Sequence, residues 1–176
     1  MKKRNLIPCL MLTLFLIPAA SQADTAGFRM DPAAEPDGFL GIKWGDDLSR
    51  VPGMIKIGTS GASDVYRRQE ESATVGLVAK IREVRYSAYD SKFYAVKILL
   101  EPGEENLQAL QAAITARYGP GFDAGGGNYL MVGNDAGLHL RFPEASQGGW
   151  DLAIFSRPLA READEAARRL KDAPRE

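Results

Sequence analysis

The residues of this chain whose types could do chemistry are few: the adjacent carboxylates Asp46-Asp47, Glu70-Glu71 and Glu104-Glu105, the single histidine His139, and Ser146 and Ser156. Two carboxylates facing one cleft at a suitable separation are the machinery of a glycosidase. Asp46-Asp47 and Glu104-Glu105, however, stand where helices are expected to start, and acidic side chains there stabilise the helix N-terminus without catalytic duty. His139 lies between Leu138 and Leu140 on an expected strand, so it points away from the apolar face together with Arg141. A triad or a zinc site needs partners that the sequence does not supply around it. Neither serine carries the glycine pattern of a nucleophile elbow, and no Asp-rich twelve-residue calcium loop occurs. Gly125-Gly126-Gly127-Asn128 runs from a helix into a strand, the reverse of a phosphate-binding loop, and reads as a connector. No catalytic residue, metal ligand set or cofactor is assigned. The one enzymatic reading left is a hydrolase whose carboxylates converge only in the fold.

Recognition is better supported than catalysis. Residues 84–89 and 93–101 read as a hairpin, and a three-residue loop, Asp90-Ser91-Lys92, gives a register in which the faces agree. It pairs Tyr89 with Phe93, Tyr86 with Val96 and Val84 with Ile98. The opposite face then carries Arg85, Ser87, Tyr89, Phe93, Ala95, Lys97 and Leu99. Aromatic rings beside cations are enriched at protein interfaces, so Arg85, Tyr89, Phe93 and Lys97 are the expected contacts to an envelope protein. The plain alternative is that loops or the C-terminal helix cover this face. A second function class is a small-ligand carrier, with a cavity between sheet and helices near Trp44, Tyr66 and Trp150. Those side chains would otherwise be ordinary core residues.

The elements that must position these residues follow from periodicity. Asp46 is expected to cap a short helix carrying Leu48 and Val51, which Pro52-Gly53 ends. Strand-like pieces occur at 65–68 and 74–78. Leu107, Leu110, Ile114 and Tyr118 recur at helical spacing over 104–118, with acids in the first turn, Arg117 in the last and Gly119-Pro120 as the stop. Strands follow at 129–133, 138–142 and 150–156. Pairing Val132 with Leu138 and Phe142 with Trp150 gathers Leu130, Val132, Leu138, Leu140, Phe142, Trp150, Leu152 and Ile154 on one face, and sets Arg141 opposite Asp151 as an ion pair. Pro158 opens a final helix with a thin apolar stripe. The fold class is α+β: an antiparallel meander packed on one face by helices, with the repetition of a helix-then-strands unit left open.

Residues 1–23 read as a cleaved signal peptide, with Met1-Lys2-Lys3-Arg4 as the basic start, an apolar run from Leu6 to Ala20 and small residues at Ser21-Gln22-Ala23. The run is too short and too proline-interrupted for a membrane span. The mature chain is expected to begin at Asp24 in a bacterial periplasm or the medium. It loses Cys9, the only cysteine, so no disulfide follows. Losing Lys2, Lys3 and Arg4 moves the formal charge from −1 further to the acid side, which argues against a nucleic-acid partner. Residues 24–37 form an extended lead-in, 38–157 a single domain and 158–176 a terminal helix with a frayed end.

Phe39-Leu40-Gly41-Ile42-Lys43-Trp44-Gly45, the short helix after it, Tyr66, the hairpin from Tyr86 to Val96 and Tyr118-Gly119-Pro120 together resemble a loose group of uncharacterised exported bacterial proteins. The resemblance implies the compartment and the fold, and brings no activity or site residues. The helix-then-meander order is also similar to modules of outer-membrane assembly lipoproteins and of β-lactamase inhibitor proteins, which work by binding other proteins. That similarity is one of fold alone.

Overall fold

Short alternating segments bury an apolar face only by pairing with one another and being covered. The computed structural model, which describes residues 30–70, 79–119, 121–125, 128–141 and 150–172, shows how this chain meets that requirement. The leader, the strand expected at 74–78, Glu71, Phe142 and Ser146 lie outside the described residues.

A two-stranded hairpin, β1 (Gly38–Phe39) and β2 (Ile42–Lys43), precedes the main sheet. A first meander follows: β3 (Met54–Ser60), β4 (Ser63–Arg68), β5 (Ile81–Tyr89) and β6 (Lys92–Leu100). After α1 (Glu104–Tyr118) comes a second: β7 (Phe122–Gly125), β8 (Asn128–Val132), β9 (Ala136–Arg141) and β10 (Asp151–Ser156), then α2 (Arg157–Asp172). The two meanders join through their last strands into one eight-stranded antiparallel sheet of order β3-β4-β5-β6-β10-β9-β8-β7. Lys97 pairs with Ala153 at the centre of the β6–β10 seam. The order reads alike from either edge, so the fold is α+β and each meander follows a helical element.

One face of the sheet carries the core. Val84, Tyr86, Val96, Ile98 and Leu100 from the first meander join Met131, Leu138, Leu140, Leu152 and Ile154 from the second, and α1 lays Leu110 and Ile114 onto them. Each such aliphatic side chain stabilises the fold by about 1.5–3 kcal/mol when fully buried. Asn106 ties the start of α1 to the strand ends, accepting from Lys80 N–H and donating to the carbonyls of Lys80 and Glu101. Gly119, at φ +91°, ends the helix.

The second face is covered in part by α2. This helix packs against β5, β6 and β10, and its buried Ala163 and Ala166 lie outside the core cluster. The second face there presents the small side chains Ser63, Ser87 and Ala95, which permit a close approach. A methyl group at Gly61 would sit 3.4 Å from Ala167 Cβ. Near this helix Ser63 Oγ and the Tyr94 hydroxyl share a 3.0 Å hydrogen bond.

Several details differ from the sequence expectation. The β5–β6 turn has two residues, Asp90 and Ser91, both at positive φ (49° and 64°), as a type I′ turn requires. Tyr89 therefore faces Lys92, and Ala88 faces Phe93. The additional residue is in the strand: a register shift between Ser87 and Ala88 restores the Tyr86–Val96 and Val84–Ile98 pairs. The bulge turns Phe93 to the core face, where it is 0% exposed and packs 4.8 Å from the Trp44 ring and 5.8 Å from Tyr86. In the second meander Val132 pairs with Gly137 and Met131 with Leu138. This one-residue slip brings Met131 into the core and turns Val132 outward. Leu140–Leu152 and Leu138–Ile154 pair in the expected register, with Arg141 opposite Asp151. Asp47, not Asp46, caps the helical turn Leu48–Arg50; Asp46 accepts from Lys43 N–H instead. Strands β3 and β7 were not expected. Met30, in the lead-in, is buried and donates its N–H to the Val132 carbonyl, so the packed unit includes residues before Gly38.

The bulge has a direct test. Phe93→Ala should destabilise the protein by about 3–5 kcal/mol, as for a large aromatic removed from a core, while Tyr89→Ala on the opposite face should cost less than about 1 kcal/mol. Urea unfolding of the two variants measures both.

Candidate functional site

The site is built on the segment before β1. Asp31 opens it by capping the turn Pro32–Ala34, accepting from Ala33 N–H at 2.9 Å. Glu35 then reaches the β8–β9 turn, where its carboxylate accepts from the N–H groups of Asn134 (2.5 Å), Asp135 (2.8 Å) and Ala136 (3.2 Å). A Cβ at Gly133 would lie 2.3 Å from Glu35 Cδ, so glycine is required beneath the clamp. Burial opposes the charge on Glu35, but the three backbone donors and the nearby Arg157 guanidinium outweigh it and hold the carboxyl below its ordinary range. Arg157 itself donates to the Gly133 and Asn134 carbonyls. Downstream, Trp44 Nε1–H donates to the Pro36 carbonyl at 2.7 Å.

The chain then turns tightly through Leu40 (φ 50°) and Gly41 (φ 79°). A leucine in the left-handed region costs about 1 kcal/mol or more, and this one is also 44% exposed. Gly38 admits no side chain, since a Cβ would stand 2.0 Å from the Ile42 carbonyl oxygen.

Between this segment and α1 lies a cleft of about 730 Å³. One wall is formed by residues 33–43, with Phe39, Leu40 and Ile42 as its apolar part; the other by Ala113, Ile114, Arg117 and Tyr118 of α1; Leu138, Leu152 and Ile154 of the sheet form the floor. The volume falls within the roughly 300–1,000 Å³ of small-molecule sites. Among the described residues the lining contains no serine, threonine, cysteine or histidine, and its charged groups are at the rim. Lys43 stands 4.0 Å from Asp37, and the Arg117 guanidinium lies over the Tyr118 ring at 5.4 Å from its centroid. The arrangement suits binding.

The residues expected to surround a cavity are elsewhere. Trp44 is held by Pro36 and packs on Phe93, Tyr66 is buried opposite Tyr86, and Trp150 packs against the core. None of the three lines the cleft. Of the expected partner contacts, Arg85 and Lys97 are paired in register on the second face, Tyr89 is half-buried beside the turn, and Phe93 is in the core. Arg85 donates twice to Glu83, at 2.8 and 2.7 Å. Lys97 stands 3.3 Å from Asp151, which also accepts from Arg141 at 2.6 Å.

Nor do the other chemical residues converge among the described residues. Asp47 accepts from Ser49 N–H and pairs with Arg50, and Glu104 and Glu105 occupy the first turn of α1. His139 Nε2 lies 3.0 Å from Asn128 Oδ1; burial pushes its pKa down, with Arg141 and Lys97 adding to this against the pull of Asp151. Among the described residues no group of three or more His, Cys, Asp or Glu is placed to hold a metal ion.

Sequence reasoning missed the cleft because its lining is mostly small or ordinary residues. The available signal was the Leu40-Gly41 pair between Phe39 and Ile42, a two-residue hairpin that sets a wall apart from the sheet. No protein-family model, curated protein or solved structure matches the chain.

The Glu35 clamp makes stability pH-dependent with a defined sign. A carboxyl whose pKa is lowered on folding stabilises the native state above its unfolded value near 4.5, and that contribution disappears as pH falls through the lower folded value. Glu35→Gln should therefore be less stable than wild type at pH 7, with the gap closing below about pH 4.5. Thermal melts of both proteins from pH 7 to pH 3 measure it.

Proposed function

We propose that this protein is an exported, non-enzymatic carrier that holds a small amphipathic molecule in the cleft between α1 and the β1–β2 hairpin. The observation that carries the reading is the cleft itself: about 730 Å³, floored by the aliphatic side chains of Leu138, Leu152 and Ile154 and rimmed by charge. An apolar floor with a few convergent polar groups is the usual form of a small-ligand site. The basic and then apolar start of the sequence supports export.

The other two readings have less to rest on. Binding an envelope protein through the hairpin's second face needs an aromatic pair there, but Phe93 belongs to the core and α2 occupies part of that face. Several of its charges are engaged with each other, as in Glu83–Arg85 and Lys97–Asp151–Arg141. Hydrolysis needs converging carboxylates, and those on the cleft are already engaged: Glu35 by backbone N–H groups, Asp37 by Lys43.

Ala113, half-exposed on the α1 wall, allows the cleft to be filled without touching the core. A ligand present at one hundred times its Kd stabilises the native state by about 2.7 kcal/mol, a shift of several degrees in Tm. Screening single-chain amphiphiles by thermal shift should find such a rise for wild type, and Ala113→Trp, itself folded, should abolish it. A folded Ala113→Trp variant that retains the shift would remove the cleft from consideration.

A further inference from the structure

We propose that the ligand's head group is anionic and is received by Arg117, with the apolar part of the molecule against the floor of the cleft. This rests on the carrier reading and narrows it to one class, single-chain amphiphiles with a carboxylate or phosphate head. The argument is one of charge. Among the described residues, four charged side chains line the cleft: Glu35, Asp37, Lys43 and Arg117. Glu35 accepts from three backbone N–H groups and lies near Arg157, which compensate its charge locally. Asp37 and Lys43 face each other at 4.0 Å. Arg117 alone has no carboxylate partner among the described residues; its guanidinium lies over the Tyr118 ring.

That neighbour matters for what Arg117 can do. A cation within about 6 Å of an aromatic ring is attracted to it without its N–H groups being spent on hydrogen-bond acceptors. Those donors match the two oxygens of a carboxylate or phosphate, a pairing that a lysine ammonium does not reproduce. The last turn of α1 also attracts the cation, since helix C-termini carry partial negative charge, but it supplies no paired oxygens in the plane of the guanidinium. Arg117 is exposed, so a head group can reach it from solvent while the tail lies against the cleft lining that includes Ile114 and Ile154.

The test compares four probes on the full chain below their micellar concentrations: dodecanoate, dodecyl phosphate, dodecanol and dodecyltrimethylammonium. Isothermal titration should show at least one of the two anions binding about tenfold or more tightly than dodecanol, and the cation binding no better than dodecanol. Which anion binds more tightly separates the carboxylate from the phosphate head. Arg117→Gln should lose about tenfold for the anion and change dodecanol binding less than about twofold; Arg117→Lys should recover part of the loss, being charged but not bidentate. Two failures are distinguishable. Equal binding of anions and dodecanol, tightest binding of the cation, or an unchanged Arg117→Gln variant overturns the head-group assignment while leaving the cleft standing, provided Ala113→Trp still abolishes binding. No binding by any probe, or binding indifferent to Ala113→Trp, overturns the carrier reading and this inference together.

Discussion

The structure depends on one non-local pairing, that of β6 with β10. Every other strand pair of the main sheet joins neighbours in sequence, whose short separation along the chain keeps the entropic cost of closure low. The β6–β10 seam must instead close across α1 and the whole second meander. Its five registered pairs, from Asp151–Leu99 to Phe155–Ala95, set Leu152 beside Ile98 and Ile154 beside Val96. Two separately marginal meanders thereby become one sheet with a single core, and α1 acquires a surface long enough to cover. The floor of the cleft is the part of that surface α1 leaves to the lead-in segment, so the cleft exists only once the seam has formed. Such long-range pairing is slow to form, which makes the seam the natural place for a folding barrier.

The same seam organises the charges of the second face. Asp151 is only 7% exposed, a burial that an isolated carboxylate would not tolerate, and it is flanked by Lys97 from β6 and Arg141 from β9. Neither strand alone would place both cations. The attraction within such a set largely offsets the cost of desolvating its buried carboxylate, so the value of this set is less net stability than orientation, fixing which strands lie side by side. A surface whose charges answer one another in this way has little left to offer a partner. Arg117, on the other side of the sheet, is in the opposite situation.

Much of this was legible in the sequence, and the failures are specific. Helix α1 is visible to the residue because its apolar spacing, acidic first turn and glycine stop agree. The β9–β10 register is visible because both strands alternate cleanly and Arg141 meets Asp151. The β5–β6 hairpin is half legible: the pairing beyond the bulge follows from face agreement, but one surplus residue can be housed in the turn or in the strand, and alternation alone does not distinguish the two. Putting it in the turn moved Phe93 from the core to the surface, and with it the proposed interface. Met131 was missed for a related reason. Leu130, Met131 and Val132 are all apolar, so the run fits either register, and the choice is made by Glu35 gripping a two-residue turn from a hundred residues away.

The cleft was illegible because it is made by residues too small to announce themselves. Ala33, Ala34, Gly38 and Ala113 keep its walls apart, and protein interiors are otherwise packed without such space. Gly38 has a backbone reason to be small, the Ile42 carbonyl; Ala113 has none in the described contacts. Leu40 adds a second departure from what stability favours, an apolar side chain that is both exposed and held at positive φ, where asparagine or glycine would relieve the strain. The clamp at Glu35 and the indole bond at Pro36 keep the whole wall in place despite that strain. An open volume, an exposed leucine at its mouth and an arginine without a carboxylate partner among the described residues meet at one place, and that coincidence is what the carrier reading rests on.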